Sequence, residues 1–220
     1  MFERLYDAAG GLVKLITIAP ERSGSKEFIN RYHDRVHISI GHTEADYDIA
    51  FTAMMAGVKH VTHLCNAMPP LAHREPGVIG AAADVKDVYV EVICDLIHIH
   101  PSMIRRIYDM FGPERICLIS DSMEAAGMPD GEYELGGQTV YKKGRHATLA
   151  DGTLAGSASS LYDCFRCAVN TGIPLADAVR MATYNPAKSI DMEKQVGNFT
   201  AGAYADLVIL DNELNIVQVM

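Results

Sequence analysis

Short apolar runs alternate with stretches of helical spacing through the first 120 residues. Strand-like runs fall at 12–18, 35–40, 60–64, 87–94 and 115–120, where β-branched residues concentrate, as in Val88-Tyr89-Val90-Glu91-Val92-Ile93. Amphipathic spacing between them predicts helices near 3–9, 25–32, 44–56, 77–83 and 101–111. Pro101 suits a first helical turn, where the amide hydrogen it lacks would be unpaired anyway. Strand followed by helix, five times over, is the pattern of βα units on a parallel sheet, so the fold class is α/β.

After Asp121 the texture changes. Residues 131–153 set Gly131, Gly136-Gly137, Gly144 and Asp151-Gly152 between short alternating segments, which predicts antiparallel hairpins. Helices return near 159–171 and 174–184, and Pro186 marks a helix boundary. The tail, Gly202 to Asp211, reads as a turn feeding a strand. The expected organisation is one α/β domain over 1–190, with the hairpins inserted, and a C-terminal strand segment over 191–220.

Composition narrows the function classes. With 220 residues, 49% of them hydrophobic, the chain can bury a real core. A net charge of −9 and no clustered basic face argue against nucleic acid and for a small substrate. Charges in Met1-Phe2-Glu3-Arg4-Leu5-Tyr6-Asp7 stand where a signal peptide would be apolar, and no run of about 18 apolar residues could span a bilayer. No membrane partner is therefore expected, and a cytoplasmic location is. Five unevenly spaced cysteines suit reduced thiols, and Cys164 and Cys167 fall in a helical pattern that reads as buried small side chains.

Candidate chemistry sits where strands end. His42, in Gly41-His42-Thr43, and His63, in Thr62-His63-Leu64-Cys65-Asn66, each follow an apolar run, the place where α/β barrels display metal ligands. Imidazoles bind zinc and related divalent ions, and catalytic sites leave one position open for water. Asp121, after Ile116-Cys117-Leu118-Ile119-Ser120, could move a proton for such a water, or merely form a turn. His98 and His100 could form a metal pair or contact substrate. Arg74 could grip an anion or pair with Glu75, and Gly152 to Ser157 could offer backbone groups to a ligand.

Together these segments resemble the N-acetylglucosamine-6-phosphate deacetylases of the amidohydrolase superfamily. The resemblance rests on Ile16 to Glu21, Gly41-His42-Thr43, His60 to Met68, Arg74-Glu75-Pro76-Gly77, His98-Ile99-His100-Pro101, Ile119-Ser120-Asp121, Thr153 to Ser157, Met181-Ala182-Thr183, Asn185-Pro186-Ala187 and Gly202 to Asp211. It implies that His42 and His63 bind one divalent metal, zinc first, with iron, manganese or cobalt as alternatives, and that Asp121 is the general base and then acid. It also implies that Asn66 and Ala67 contact the sugar phosphate, that Arg74 and His98 grip it, and that the loop Leu154, Ala155, Gly156 lies over the sugar. Family members act as homodimers in which the equivalent of Arg74 reaches the neighbouring site. The implied reaction hydrolyses the N-acetyl group of N-acetylglucosamine 6-phosphate to glucosamine 6-phosphate and acetate.

Against the family pattern, the chain starts just before the fourth strand. The expected fold is thus a partial (β/α)8 TIM-type barrel, strands four to eight, with remnants of a small β-sandwich. The family's glutamate ligand and carbonyl-polarising histidine lie in the missing part, and Glu21 is the one upstream carboxylate able to face the same cavity. The alternative function is a catalytically incomplete fragment or a phosphosugar-binding subunit. Another amidohydrolase, such as a dihydroorotase or aminoacylase, fits Asn66-Ala67-Met68 and Arg74 to Gly77 less well.

Overall fold

Every apolar run of the first 120 residues becomes a strand in the computed structural model, which describes residues 1–220 and divides into two compact units, Met1–Val92 and Ile93–Met220. In the first unit β1 (Leu15–Ile18), β2 (His37–Ile40), β3 (His60–Val61) and β4 (Tyr89–Ile93) run parallel, with Ile18 beside Ile40, Ile40 beside Val61 and Val61 beside Val90. Those registers line Ile38, Ile40, Val61 and Val90 on one fully buried apolar face. The opposite face is polar: Ser39 Oγ lies 2.6 Å and Thr17 Oγ1 2.8 Å from Thr62 Oγ1. His60 also faces Glu91 there, Nδ1 to Oε1 3.2 Å, at ion-pair distance without hydrogen-bond alignment.

The helices of this unit are α1 (Phe2–Ala8), α2 (Ser25–Tyr32), α3 (Tyr47–Met55) and α4 (Gly77–Asp84). Asp46 caps α3 by accepting the Ile49 N–H, so the helix begins at Tyr47, three residues past the expected start at 44, because Thr43 and Glu44 are committed elsewhere. Strand β3 is also shorter than expected. After Thr62 the chain turns left-handed at His63 (φ 32°) and leaves the extended path.

The second unit opens with α5 (Pro101–Phe111) and β5 (Ile116–Ile119), with Pro101 in the first turn as expected. Strands β6 (Gly131–Leu135), β7 (Gln138–Lys143) and β8 (His146–Thr148) form the antiparallel sheet foreseen at 131–153. They cover a small core of Met123, Ala125, Val140, Ala147, Ala155 and Ala158. Helices α6 (Leu161–Asn170), α7 (Leu175–Ala182) and α8 (Tyr184–Lys188) pack on β5, and α6 begins with a Ser160–Asp163 capping box. Pro186 lies in the first turn of α8, where a missing N–H costs nothing, and the break falls at Thr183 instead. The tail strand β9 (Val208–Leu210) pairs antiparallel with β10 (Ile216–Val219), which had no counterpart in the expected elements. No helix is long and apolar enough to cross a membrane.

Candidate active site

Gly41 brings the chain out of β2 between two side chains; a Cβ there would meet Thr17 Cγ2 and Thr62 Cβ at 2.8 Å. The next residue, His42, takes φ 50°, and His63 and Ala67 are left-handed as well. Such conformations cost about 1–3 kcal/mol each in non-glycine residues and persist only where surrounding contacts impose them. Here they turn two imidazoles toward one point. The Nε2 atoms of His42 and His63 lie 2.9 Å apart, with ring planes at 80°. His63 Nδ1 donates to the Asn66 carbonyl at 3.2 Å, which places the proton of the neutral ring on Nδ1 and leaves Nε2 as a lone pair. That tautomer suits a metal ligand.

Thr43 joins the loops that carry both rings. Its N–H donates to Ala67 O at 3.0 Å, its hydroxyl donates to Glu21 Oε2 at 2.5 Å, and the same hydroxyl accepts the Ala45 N–H. Glu21 Oε1 takes the Glu44 N–H at 2.9 Å. Both Glu21 oxygens are therefore engaged in clamping the loop after β2. Burial raises the proton affinity of this carboxyl, but the Thr43 and Glu44 hydrogen bonds outweigh it and the net shift is downward. Neither unit gathers three metal-ligating side chains, so His42 and His63 stand as a two-imidazole pair.

Asn66 anchors the turn after His63, its amide donating to the His63 and Leu64 carbonyls. Arg74 lies elsewhere in the first unit, in an open cleft of about 760 Å³ lined also by Glu44, Asp46, Asp48, Tyr47 and Asp84. That wall is strongly acidic for a residue expected to meet an anion.

In the second unit Asp121 is exposed and left-handed at φ 51°, and its carbonyl accepts the Ser157 N–H at 3.0 Å. Ser157 thereby holds the Leu154, Ala155, Gly156 loop beside Asp121. Gly156 takes φ 68°, and a Cβ there would press on Met123 at 3.2 Å. His98 and His100 part company: His100 Nδ1 accepts the Ser102 N–H and caps α5, so the two do not act as a metal pair. His98 Nδ1 instead donates to Asp95 Oδ2 at 2.9 Å. Asp95, fully buried, was not singled out from the sequence. The signal was there, since an aspartate commonly takes the N–H groups two and three residues on, as Asp95 Oδ1 does with Ile97 and His98. Cys164 and Cys167 are buried in α6 as expected, and burial pushes the Cys164 thiol up to about 12, which keeps it unreactive.

Burial acts to raise the Asp95 carboxyl, but hydrogen bonds from the His98 ring and from the His98 and Ile97 amides hold it at about 2, below its ordinary 3.8. A depressed carboxylate stabilises the fold above its unfolded value and loses that contribution as pH falls through its folded value. The window is therefore pH 4 down to pH 2, and the contribution is roughly 2 kcal/mol. Urea unfolding at pH 6 and pH 2.5 is expected to show the native chain losing roughly 1.5 kcal/mol more stability than Asp95→Asn, most of that contribution. Equal losses would contradict it.

The family model described as the amidohydrolase family matches residues 23–220, nearly the whole chain. The chain belongs to the amidohydrolase family. Among curated amidohydrolase relatives, it is 40% identical over 219 residues to the N-acetylglucosamine-6-phosphate deacetylase of Bacillus subtilis (strain 168), covering 99% of this chain and 55% of that one. It is 35% identical to the N-acetylgalactosamine-6-phosphate deacetylase of Escherichia coli O157:H7, covering 99% and 58%. A solved structure of a mutant N-acetyl-D-glucosamine-6-phosphate deacetylase from Mycobacterium smegmatis, in complex with N-acetyl-D-glucosamine-6-phosphate, superposes with a TM-score of 0.94 at 41% identity. That match covers 100% of this amidohydrolase chain and 59% of the other. The chain spans about half the length of the curated relatives it matches.

Proposed function

We propose that this amidohydrolase chain serves the hydrolysis of the N-acetyl group of N-acetylglucosamine 6-phosphate to glucosamine 6-phosphate and acetate. The observation that carries the reading is the His42–His63 pair, whose Nε2 atoms converge at 2.9 Å on loops aligned with the deacetylases. The two imidazoles fit a borderline divalent ion, zinc first, with iron, manganese or cobalt as alternatives. When bound, that ion supplies Lewis acidity to the amide carbonyl and makes water a stronger nucleophile. Asp121 takes a proton from the attacking water and hands it to the leaving amine. Arg74 and His98 grip the phosphate, Asn66 and Ala67 contact the phosphosugar, and the loop Leu154, Ala155, Gly156 covers the sugar. The strands belong, on this reading, to the second part of a (β/α)8 barrel with sandwich remnants. The assembly is a cytoplasmic homodimer in which Arg74 serves the neighbouring copy, away from its own acidic cleft.

A second reading, a phosphosugar-binding chain without turnover, is favoured by one observation: Glu21, the upstream carboxylate, is tied to Thr43 and Glu44. Acetate release from N-acetylglucosamine 6-phosphate, measured with and without a chelator, separates the two. Deacetylation predicts close to one divalent ion per chain and loss of activity on chelation. Sugar-phosphate binding that survives chelation, with no acetate formed, establishes the second reading.

A further inference from the structure

We propose that Asp95 is a positioning residue that fixes the proton and the orientation of the His98 ring, so that His98 presents Nε2 to an anionic phosphate group. The inference rests on the reading of His98 as a phosphate contact and adds the group that makes it one.

The geometry is specific. Asp95 Oδ1 binds the N–H groups of Ile97 and His98, each at 2.9 Å, so the carboxylate is locked to the backbone of the loop. Its second oxygen takes the His98 Nδ1 proton at 2.9 Å and the Ser159 hydroxyl at 3.4 Å. The loop bends sharply at Leu96, φ 66°, which lets residues 95 and 98 meet. Ser159 ties the pair to the catalytic segment: its N–H donates to Ser157 Oγ, its carbonyl accepts the Ser122 hydroxyl, and Ser157 N–H binds the Asp121 carbonyl. One buried carboxylate thus registers the His98 loop against the loop of Asp121.

Chemistry sets the direction. A carboxylate can only accept, so Nδ1 carries a proton and Nε2 is the atom that meets a ligand. With its Nδ1 proton held by the carboxylate, the ring offers an Nε2 lone pair, which accepts a hydrogen bond from the hydroxyl of a phosphate monoanion. The pair resembles a ligating histidine backed by a carboxylate, but with phosphate in place of the metal. An asparagine at 95 would keep the Oδ1 contacts and turn an NH2 group toward Nδ1. The ring would then move its proton to Nε2 and lose the charge behind it.

The test uses the whole chain, native and Asp95→Asn, with 15N chemical shifts of the His98 ring identifying the protonated nitrogen on the neutral ring. The native ring is expected as the Nδ1–H tautomer and the variant as Nε2–H. Inorganic phosphate is expected to shift the native His98 signals at concentrations roughly tenfold lower than it needs in the variant. In turnover, KM for the phosphorylated sugar rises about tenfold while kcat stays within about twofold, and KM for N-acetylglucosamine without phosphate is unchanged. A native Nε2–H tautomer overturns the proposal, as does a variant whose KM rises equally for both sugars, which marks a structural role. If native protein turns over neither sugar, the deacetylase reading falls, and the tautomer and phosphate response still decide the role of Asp95. If the variant does not fold, the native tautomer decides it alone.

Discussion

Replacing Asp121 by asparagine is expected to cut acetate release about 1,000-fold, roughly 4 kcal/mol of transition-state stabilisation, with the fold unchanged. The side chain is exposed, so no buried partner is lost. Its backbone is left-handed, at φ 51°, a conformation asparagine tolerates as well as aspartate does. The Asp121 carbonyl, which holds Ser157, is untouched by the change. On the proposed mechanism, what disappears is the ability to take a proton from water and return it to the leaving nitrogen. The measurement is kcat with the melting temperature alongside: a drop in kcat at constant melting temperature assigns proton transfer to Asp121. A variant keeping more than a tenth of native activity would assign it elsewhere. Asp121→Ala is the poorer probe, since alanine at this φ adds backbone strain to the loss of the carboxylate.

The parts of this fold that were legible in the sequence are those where burial imposes a pattern. Strand β4 announces itself because Val90, Val92 and Ile93 are all buried, and β2 because Ile38 and Ile40 are. Strand β10 is exposed along its length, so Ile216-Val217-Gln218-Val219 carries no alternation to mark it. The start of α3 was misplaced for a different reason: Thr43 and Glu44 look like helix-start residues but are held by Glu21, twenty-two positions upstream of Thr43. The site shows the same division. Gly41-His42 and Thr62-His63 stood out as a pair, because two imidazoles occupy matching positions after apolar runs, and the structure does bring those rings together. Roles that depend on a distant partner stayed hidden. Glu21 looked able to face a metal, and its oxygens serve Thr43 and Glu44; His100 looked like half of a pair, and it caps a helix.

His63→Ala is expected to abolish the thermal response of the chain to a divalent ion. In the native arrangement the Asn66 carbonyl fixes the His63 proton on Nδ1, so the Nε2 facing His42 is a lone pair. The two Nε2 atoms lie 2.9 Å apart, close enough to share a proton or to face one cation together. The left-handed backbone at His42, His63 and Ala67, with Thr43 N–H bound to the Ala67 carbonyl, holds both rings in this arrangement. An ion that binds the folded state alone at about 100 times its dissociation constant adds roughly 2.7 kcal/mol. For a chain of this size that corresponds to a melting-temperature rise of between about 5 and 10 °C. Zinc, manganese and cobalt are each to be titrated against native protein, His63→Ala and His42→Ala, with calorimetry as readout. Both variants are expected to stay within about 1 °C of their metal-free values, because one imidazole in water binds such ions weakly. A native chain that shows no rise with any of the three ions would mean that two imidazoles do not suffice, and would shift the balance to the phosphosugar-binding reading. A rise that persists in both variants would place the ion away from these loops altogether.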